Sequence, residues 1–126
     1  NGEFALSAAL ELAVAGPGGE GIAVASVDTD GIDGATDAAG ALVDDRLVGD
    51  DAGGGADGSL DREAAENALN AHDAYPLLDQ AGALLRTGPT GTNVNDLRAI
   101  VVPARAPRSD GGGWRPGPDA RSEGTK

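Results

Sequence analysis

The sequence predicts a small α/β domain, and three observations support this. Residues 2–14 place apolar side chains at helical spacing, residues 22–27 form an apolar run of strand length, and helix-like and strand-like segments alternate afterwards. Such alternation is typical of helices layered on a sheet. We therefore expect a small sheet of about three strands with helices packed on it over residues 1–103, followed by a disordered tail over residues 104–126.

Local signals set the bounds of each predicted element. Asn1 is a candidate N-cap of the first helix, and the Gly-Pro-Gly-Gly run after Ala15 ends that helix. Residues 49–59 are rich in Gly and Asp without periodicity, which predicts a mobile loop. Three further helices are predicted, over residues 37–43, 62–70 and 74–81. Asp61 and Asp73 are the expected N-caps of the last two, and Gly82 is the expected stop of the helix over 74–81. Two further strands are predicted over residues 84–87 and 97–102.

Composition and charge exclude several classes of function. The chain has 126 residues and a formal net charge of −12, which repels nucleic acid and anionic membranes, so neither is expected as a partner. The lack of cysteine excludes disulfides and cysteine-based zinc sites, and the single histidine, His72, excludes a multi-histidine metal site. No apolar run approaches the roughly 20 residues that span a bilayer.

The same composition predicts a salt-adapted, cytoplasmic protein with a thin core of Leu, Val, Ile and Ala. Asp outnumbers Glu, and Lys126 is the only lysine. Because salt screens the self-repulsion of an acidic protein, we expect folding to strengthen as salt is added, and circular dichroism at increasing salt tests this. Full folding in dilute buffer would contradict it. The absence of an initial Met and of a signal peptide leads us to expect an intracellular piece of a longer protein.

An acidic loop, residues 28–37, directly follows the first predicted strand. It carries four carboxylates: Asp28, Asp30, Asp33 and Asp37. A calcium-binding EF-hand loop needs Asp or Asn where this chain has Ile32 and Glu where it has Ala39, so a standard EF-hand is excluded. Two interpretations stay open: a looser Mg²⁺ or Ca²⁺ site, or a solvated turn in which Asp30 and Asp33 form Asx-turns and Asp37 caps the next helix.

A second loop, residues 87–96, is called here the closing loop. It is rich in residues whose backbone or side chains donate hydrogen bonds: Thr87, Gly88, Thr90, Gly91, Thr92, Asn93 and Asn95. Such a loop suits a phosphate or carboxylate ligand, although the Lys and the spacing of a Walker A loop are absent. An ordinary connection between antiparallel strands is equally compatible. The flanking Arg86 and Arg98 could face a ligand or pair with surface carboxylates, and His72 is interpreted as a surface histidine.

Several segments also match a known pattern: Asn1–Leu6, Thr29–Gly34 with Thr36–Ala41, and Thr87–Leu97. Asp73 and Tyr75 match an Asn-Asp-Ser-Tyr segment of the same pattern. Together these residues resemble the MOFRL domain, the C-terminal half of class II glycerate 2-kinases, some of which are labelled hydroxypyruvate reductase. Two long motifs in the same order and at compatible separation make the resemblance specific over about residues 1–102.

The resemblance implies an ATP-dependent kinase that uses Mg²⁺ to phosphorylate the 2-hydroxyl of D-glycerate. The site would lie in a cleft between this domain and a larger N-terminal α/β domain. The resemblance implies Asp30 and Asp33 as the catalytic carboxylates and tentative Mg²⁺ ligands, and the closing loop as the cradle for phosphate or for the glycerate carboxylate. It gives supporting positions to Asn1, Glu3, Asp37 and Asp96.

The chain also departs from the family pattern. Asp28, Ala35, His72 and Ala74 replace the family's Gly, Pro, Asn and Ser, and the Gly-Gly-Arg that precedes the position of Asn1 is absent. We therefore predict that these 126 residues alone have no kinase activity. Two other classes stay open, namely a domain of a hydroxypyruvate reductase and a non-enzymatic acidic module that binds cations or another protein. The lack of a G-x-G-x-x-G motif weighs mildly against the reductase.

Overall fold

The computed structural model describes residues 1–49 and 59–104. A 3-10 turn, Gly16–Gly19, follows the first helix. The centre of the predicted mobile loop, residues 50–58, and the predicted tail from residue 105 onward lie outside the described residues. The helices are α1 (Gly2–Val14), α2 (Arg62–Asn70) and α3 (Ala74–Gln80), and the strands are β1 (Ala23–Asp28), β2 (Gly40–Asp44), β3 (Leu84–Leu85) and β4 (Asp96–Val101).

The strands form one antiparallel sheet in the order β3-β2-β1-β4. The predicted α/β class is confirmed, with four described strands instead of about three. β1 lies between β2 and β4 and pairs with β4 from Ala23–Val101 to Asp28–Asp96. Because neighbouring strands run in opposite directions, β1 and β3 end, and β2 and β4 begin, at the same end of the sheet. We call this the loop end.

The predicted helix over residues 37–43 is wrong, because this segment enters β2. Ala41 and Val43 are buried whereas Leu42 is exposed, which is the alternation of a strand. Gly40 lies so close to β1 that a Cβ there would stand 1.9 Å from the carbonyl oxygen of Ser26. Alanine is a good helix former, but contact with β1 overrides that local preference.

The core lies between α1 and the sheet. Leu6 of α1 and Leu78 of α3 are completely buried, and Val24 and Val43 meet them from the sheet. The remaining core is largely alanine: Ala5, Ala9, Ala41, Ala65, Ala74 and Ala83. The predicted thin core of aliphatic side chains is therefore confirmed. Because each fully buried leucine contributes about 1.5–3 kcal/mol to folding, much of the stability depends on a few large side chains.

The helix ends show which predicted caps are correct. Asp61 accepts a hydrogen bond from the α2 backbone at 3.1 Å, as predicted, and Gly82 follows α3 with φ +72°, as predicted for a helix stop. Asp73 makes no side-chain cap bond at α3, and neither does Asn1 at α1. The carboxylate at the α1 N-terminus comes instead from Asp33, 31 residues further along the chain.

Within residues 1–49 and 59–104, no helix combines the length and the apolar character needed to cross a membrane. The cytoplasmic location and the salt adaptation inferred from composition stay predictions.

Candidate functional site

Three parts of the chain meet at the loop end of the sheet: the acidic loop, the closing loop and the N-terminus of α1. The acidic loop leaves β1 and enters β2, whereas the closing loop leaves β3 and enters β4. Since β3 and β4 are the two edge strands of the sheet, the closing loop crosses the ends of β2 and β1. It is therefore a crossover beside the acidic loop, and the strands that it joins are not neighbours.

Backbone and threonine hydrogen bonds join the two loops. The backbone N–H and the hydroxyl of Thr29 both donate to the carbonyl of Asn95, at 3.0 and 2.7 Å. The Thr29 hydroxyl oxygen accepts from the N–H of Val94 at 2.8 Å. Thr90 donates its hydroxyl to the Thr29 carbonyl and its N–H to the Asp30 carbonyl. The two loops therefore form one structural unit, although they are about 60 residues apart in sequence.

A close approach of two glycines completes the contact between the loops. Gly31 has φ +96°, and a Cβ at this position would lie 2.1 Å from the carbonyl oxygen of Gly88. A side chain at Gly31 would therefore collide with backbone, which cannot move without displacing the closing loop. The glycine is required both by its conformation and by the space around it.

Asp33 attaches the acidic loop to α1. Its Oδ1 accepts from the backbone nitrogen of Asn1 at 3.1 Å, and its Oδ2 accepts from the N–H of Gly2 at 3.0 Å. A carboxylate is favourable there because helix N-termini carry partial positive charge. The Asn1 side chain accepts from the buried Ser26 hydroxyl and donates to Asp96 at 3.2 Å. Asp33, Asn1 and Asp96 thus hold α1, the acidic loop and the start of β4 together.

The other carboxylates of the acidic loop concentrate negative charge. Oδ1 of Asp30 accepts from the N–H of Ile32 at 2.9 Å, which is the predicted Asx-turn, and the Asp30 side chain lies within hydrogen-bonding reach of the Asp28 carboxyl. Loss of hydration and the nearby carboxylates of Asp30, Asp96 and Asp33 raise the pKa of Asp28 above its usual 3.8. A cation near this loop would relieve the repulsion among these groups.

The closing loop retains hydrogen-bond donors for a ligand. Four of its N–H groups bind inside the protein, namely those of Thr90, Thr92, Val94 and Asn95. In the described part of the chain, four others have no acceptor: those of Thr87, Gly88, Gly91 and Asn93. The loop is exposed, so these groups are accessible to an anion.

Asp37 belongs to a polar network beside the acidic loop. It accepts from the Tyr75 hydroxyl and from Nε of Arg86, at 2.5 and 3.1 Å, and Arg86 also binds Asp79 at 3.1 Å. The hydroxyl of Tyr75 and then the guanidinium of Arg86 lower the pKa of Asp37. Of the two roles considered for Arg86, pairing with carboxylates is the one observed. Arg98 instead stacks on the ring of Phe4 at 3.9 Å.

We expect Tyr75→Phe to raise the pKa of Asp37 towards its ordinary value of 3.8, because the largest stabiliser of its charged form is removed. Because the pKa of Asp37 is lower in the folded protein than in the unfolded chain, its charged form stabilises the fold at pH values above the unfolded-state pKa. This stabilisation is lost as the pH falls through the folded-state pKa. Carbon-13 NMR titration of the Asp37 carboxyl measures the shift, with Asp61 as the internal control. An unchanged Asp37 pKa in the variant would contradict the assignment.

A pocket of about 330 Å³ opens next to this network, between the α1 N-terminus and the α2–α3 connection. Its lining includes Glu3, Asp33, Thr36, His72 and Tyr75. Nδ1 of His72 lies 3.3 Å from the Glu3 carboxylate. His72 is exposed, as predicted, but the chemistry of the neighbouring residues did not predict that it lines a pocket. The resemblance of Asp73 and Tyr75 to a family segment was the available signal.

The described residues could supply only part of the ligand set of a Mg²⁺ ion. Within residues 1–49 and 59–104, no three or more His, Cys, Asp or Glu side chains are arranged to hold a metal ion. Both Asp33 oxygens accept hydrogen bonds from α1, whereas Asp30 accepts a single backbone N–H, that of Ile32. Proteins usually bind Mg²⁺ through one or two carboxylates together with substrate phosphates, and Asp30 meets that requirement.

Comparison with known proteins gives a family match over residues 1–96, to the family described as the MOFRL family. A D-glycerate 2-kinase of Thermotoga maritima is 46% identical over 100 residues, which cover 77% of this chain and 21% of that protein. A protein of Agrobacterium vitis named "Putative hydroxypyruvate reductase" is 49% identical over 104 residues, covering 81% of this chain and 21% of that protein.

Two solved structures resemble the described fold. The crystal structure of a glycerate kinase from Thermotoga maritima gives a TM-score of 0.59 at 45% identity and covers 79% of this chain. The PH0495 protein of Pyrococcus horikoshii gives a TM-score of 0.60 at 37% identity and covers 81%. This chain spans about a fifth (21%) of the length of each of these relatives.

Proposed function

This chain belongs to the MOFRL family, and we propose that it is the C-terminal domain of an ATP-dependent glycerate 2-kinase. The observation that carries the proposal is the meeting of the acidic loop, the closing loop and the α1 N-terminus at one end of the sheet. In the proposed reaction, D-glycerate is phosphorylated at its 2-hydroxyl to give 2-phosphoglycerate. An N-terminal α/β domain supplies the opposite wall of the cleft and most contacts to ATP.

The closing loop is proposed to bind the anionic groups. The free N–H groups of Gly88, Gly91 and Asn93, with the exposed side chains of Thr92 and Asn95, suit the carboxylate of glycerate or a phosphate. Phosphoryl transfer depends mainly on positioning and on stabilising charge, and such a loop provides both. Thr87 and Thr90 use their hydroxyls within the protein, so their proposed role is to shape the loop.

Asp30 is proposed as the carboxylate that acts directly. Its carboxylate accepts one backbone N–H, that of Ile32, and can orient Mg²⁺ or accept the proton of the 2-hydroxyl. When bound, Mg²⁺ would neutralise charge on the phosphates. Asp33 is proposed to position Asp30, since its own oxygens hold the acidic loop on α1. Four further side chains are proposed to support this arrangement through polar contacts. Asn1 binds Ser26 and Asp96, Glu3 contacts His72, and Asp37 accepts from Tyr75.

The test compares this chain with the longer protein that contains it. We expect the longer protein to phosphorylate D-glycerate with ATP, and the 126-residue chain alone to be inactive because it carries only one wall of the cleft. ATP-dependent phosphorylation by the 126-residue chain would refute the predicted inactivity.

A hydroxypyruvate reductase is the second candidate, favoured by the name of the relative from Agrobacterium vitis. Turnover of hydroxypyruvate with NAD(P)H and not of glycerate with ATP, measured on the same longer protein, would select it. A longer protein inactive in both assays would leave the third class, a non-enzymatic acidic module.

A further inference from the structure

β4 is an unusual edge strand. It pairs with β1 on one side, and no described strand pairs with its other side. All six of its residues are exposed, and Leu97, Ile100 and Val101 are 57%, 63% and 62% exposed. Edge strands of stable proteins are usually short, charged or covered, because an open apolar edge invites pairing with another chain. β4 is as long as the central β1 and carries its charges only at Asp96 and Arg98.

The exposed apolar residues lie on both faces of β4. Ile100 is opposite Val24, which is buried beneath α1, so Ile100 lies on the helix-covered face. Val101 is opposite Ala23 and therefore lies on the other face, together with Leu97. A strand with apolar residues on both faces is typical of the interior of a sheet that is covered on both sides.

The surface next to β4 has the same character. A groove of about 430 Å³ lies beside α1 on the helix-covered face, and its lining includes Phe4, Leu12, Ile22 and Ile100. On the opposite face, Leu42 of β2 is 48% exposed. Apolar surface on this scale, in a chain with a net charge of −12, marks a site of contact with other protein.

We propose that the sheet continues beyond β4 in the longer protein. A strand from the part of that protein outside these residues pairs with the free edge of β4, and apolar side chains from the same part cover Ile100 on one face and Leu97 and Val101 on the other. The choice of occupant rests on length, since the relatives are about five times as long as the segment that matches them. It also rests on the proposed function, in that this chain is one domain of such a protein.

Amide hydrogen exchange on the longer protein tests the proposal. We expect residues 96–101 to exchange as slowly as residues 23–28 of β1, which have a partner strand on each side. Exchange of half of the β4 amides at the rate of exposed loops would overturn the proposal. Protection that disappears on dilution would assign the edge to a second copy, and protection that disappears when residues 105–126 are removed would assign it to the tail. Either result would also overturn it.

Charged substitutions give a second readout. Ile100→Asp and Val101→Asp in the longer protein are expected to speed exchange in β4 about tenfold or more, since each would bury a charge. Val14→Asp is the matched control, because Val14 is 60% exposed on α1 and distant from β4 in the chain. Equal effects of all three substitutions would overturn the proposal. If a variant fails to fold, exchange in the unsubstituted protein still decides.

These readouts do not depend on catalysis. Slow exchange of β4 in a longer protein without kinase activity would support the extended sheet and refute the proposed function. Rapid exchange of β4 in an active kinase would refute the extended sheet and leave the function standing.

Discussion

Asp33→Asn in the longer protein is expected to lower kcat for phosphorylation of glycerate by about a hundredfold or more, because small displacements in an active site carry penalties of that size. The two Asp33 oxygens accept from Asn1 and Gly2. An amide has one oxygen, so its NH₂ group would face one of these donors and displace the acidic loop from α1. The loss of charge at the helix N-terminus should cost only about 1 kcal/mol of folding free energy.

Asp45→Asn is the matched control for this substitution. Asp45 directly follows β2, at the end of the sheet opposite the site, and no hydrogen bond or ion pair of its side chain is found within the described residues. We expect unchanged kcat and a change in unfolding free energy within about 0.5 kcal/mol. Steady-state kinetics and denaturant unfolding of both variants decide the matter. Full activity of Asp33→Asn would remove Asp33 from the mechanism.

The elements predicted well from sequence are those whose signals are local. α2 begins after Asp61 and ends at Asn70, as predicted, because the capping residue and the apolar spacing act within a few residues. β2 was missed because its alanines fit either structure, and its close pairing with β1 at Gly40 decides the outcome. β-structure depends on partners distant in sequence, which a local pattern does not contain.

In the site too, features with local signals were predicted from sequence, whereas contacts between distant residues were not. Chemistry of the residues identified both loops, and the Asx-turn at Asp30 follows from its own sequence. Their meeting was implied only by the family resemblance, since the bonds between Thr29 and Asn95 join residues 66 apart. The attachment of Asp33 to α1 had no local signal for the same reason.

Gly31→Ala is expected to destabilise the longer protein by about 3 kcal/mol or more and to lower kcat together with stability. The new Cβ would meet the carbonyl oxygen of Gly88 at 2.1 Å, and φ +96° is unfavourable for alanine in any case. Relief requires the closing loop to move away from the acidic loop. That movement would separate the N–H groups proposed to bind the anion from Asp30.

Gly34→Ala separates strain from collision. Gly34 also has positive φ, +63°, but within residues 1–49 and 59–104 no atom other than those of its chain neighbours lies within 4 Å of the Cβ position. It should cost only about 1–2 kcal/mol and leave kcat nearly unchanged. Denaturant unfolding and steady-state kinetics of the two variants measure the difference. Equal losses at Gly31 and Gly34 would show that backbone conformation alone accounts for the effect. A much larger loss at Gly31, with a matching fall in kcat, would show that contact between the two loops is needed to build the site.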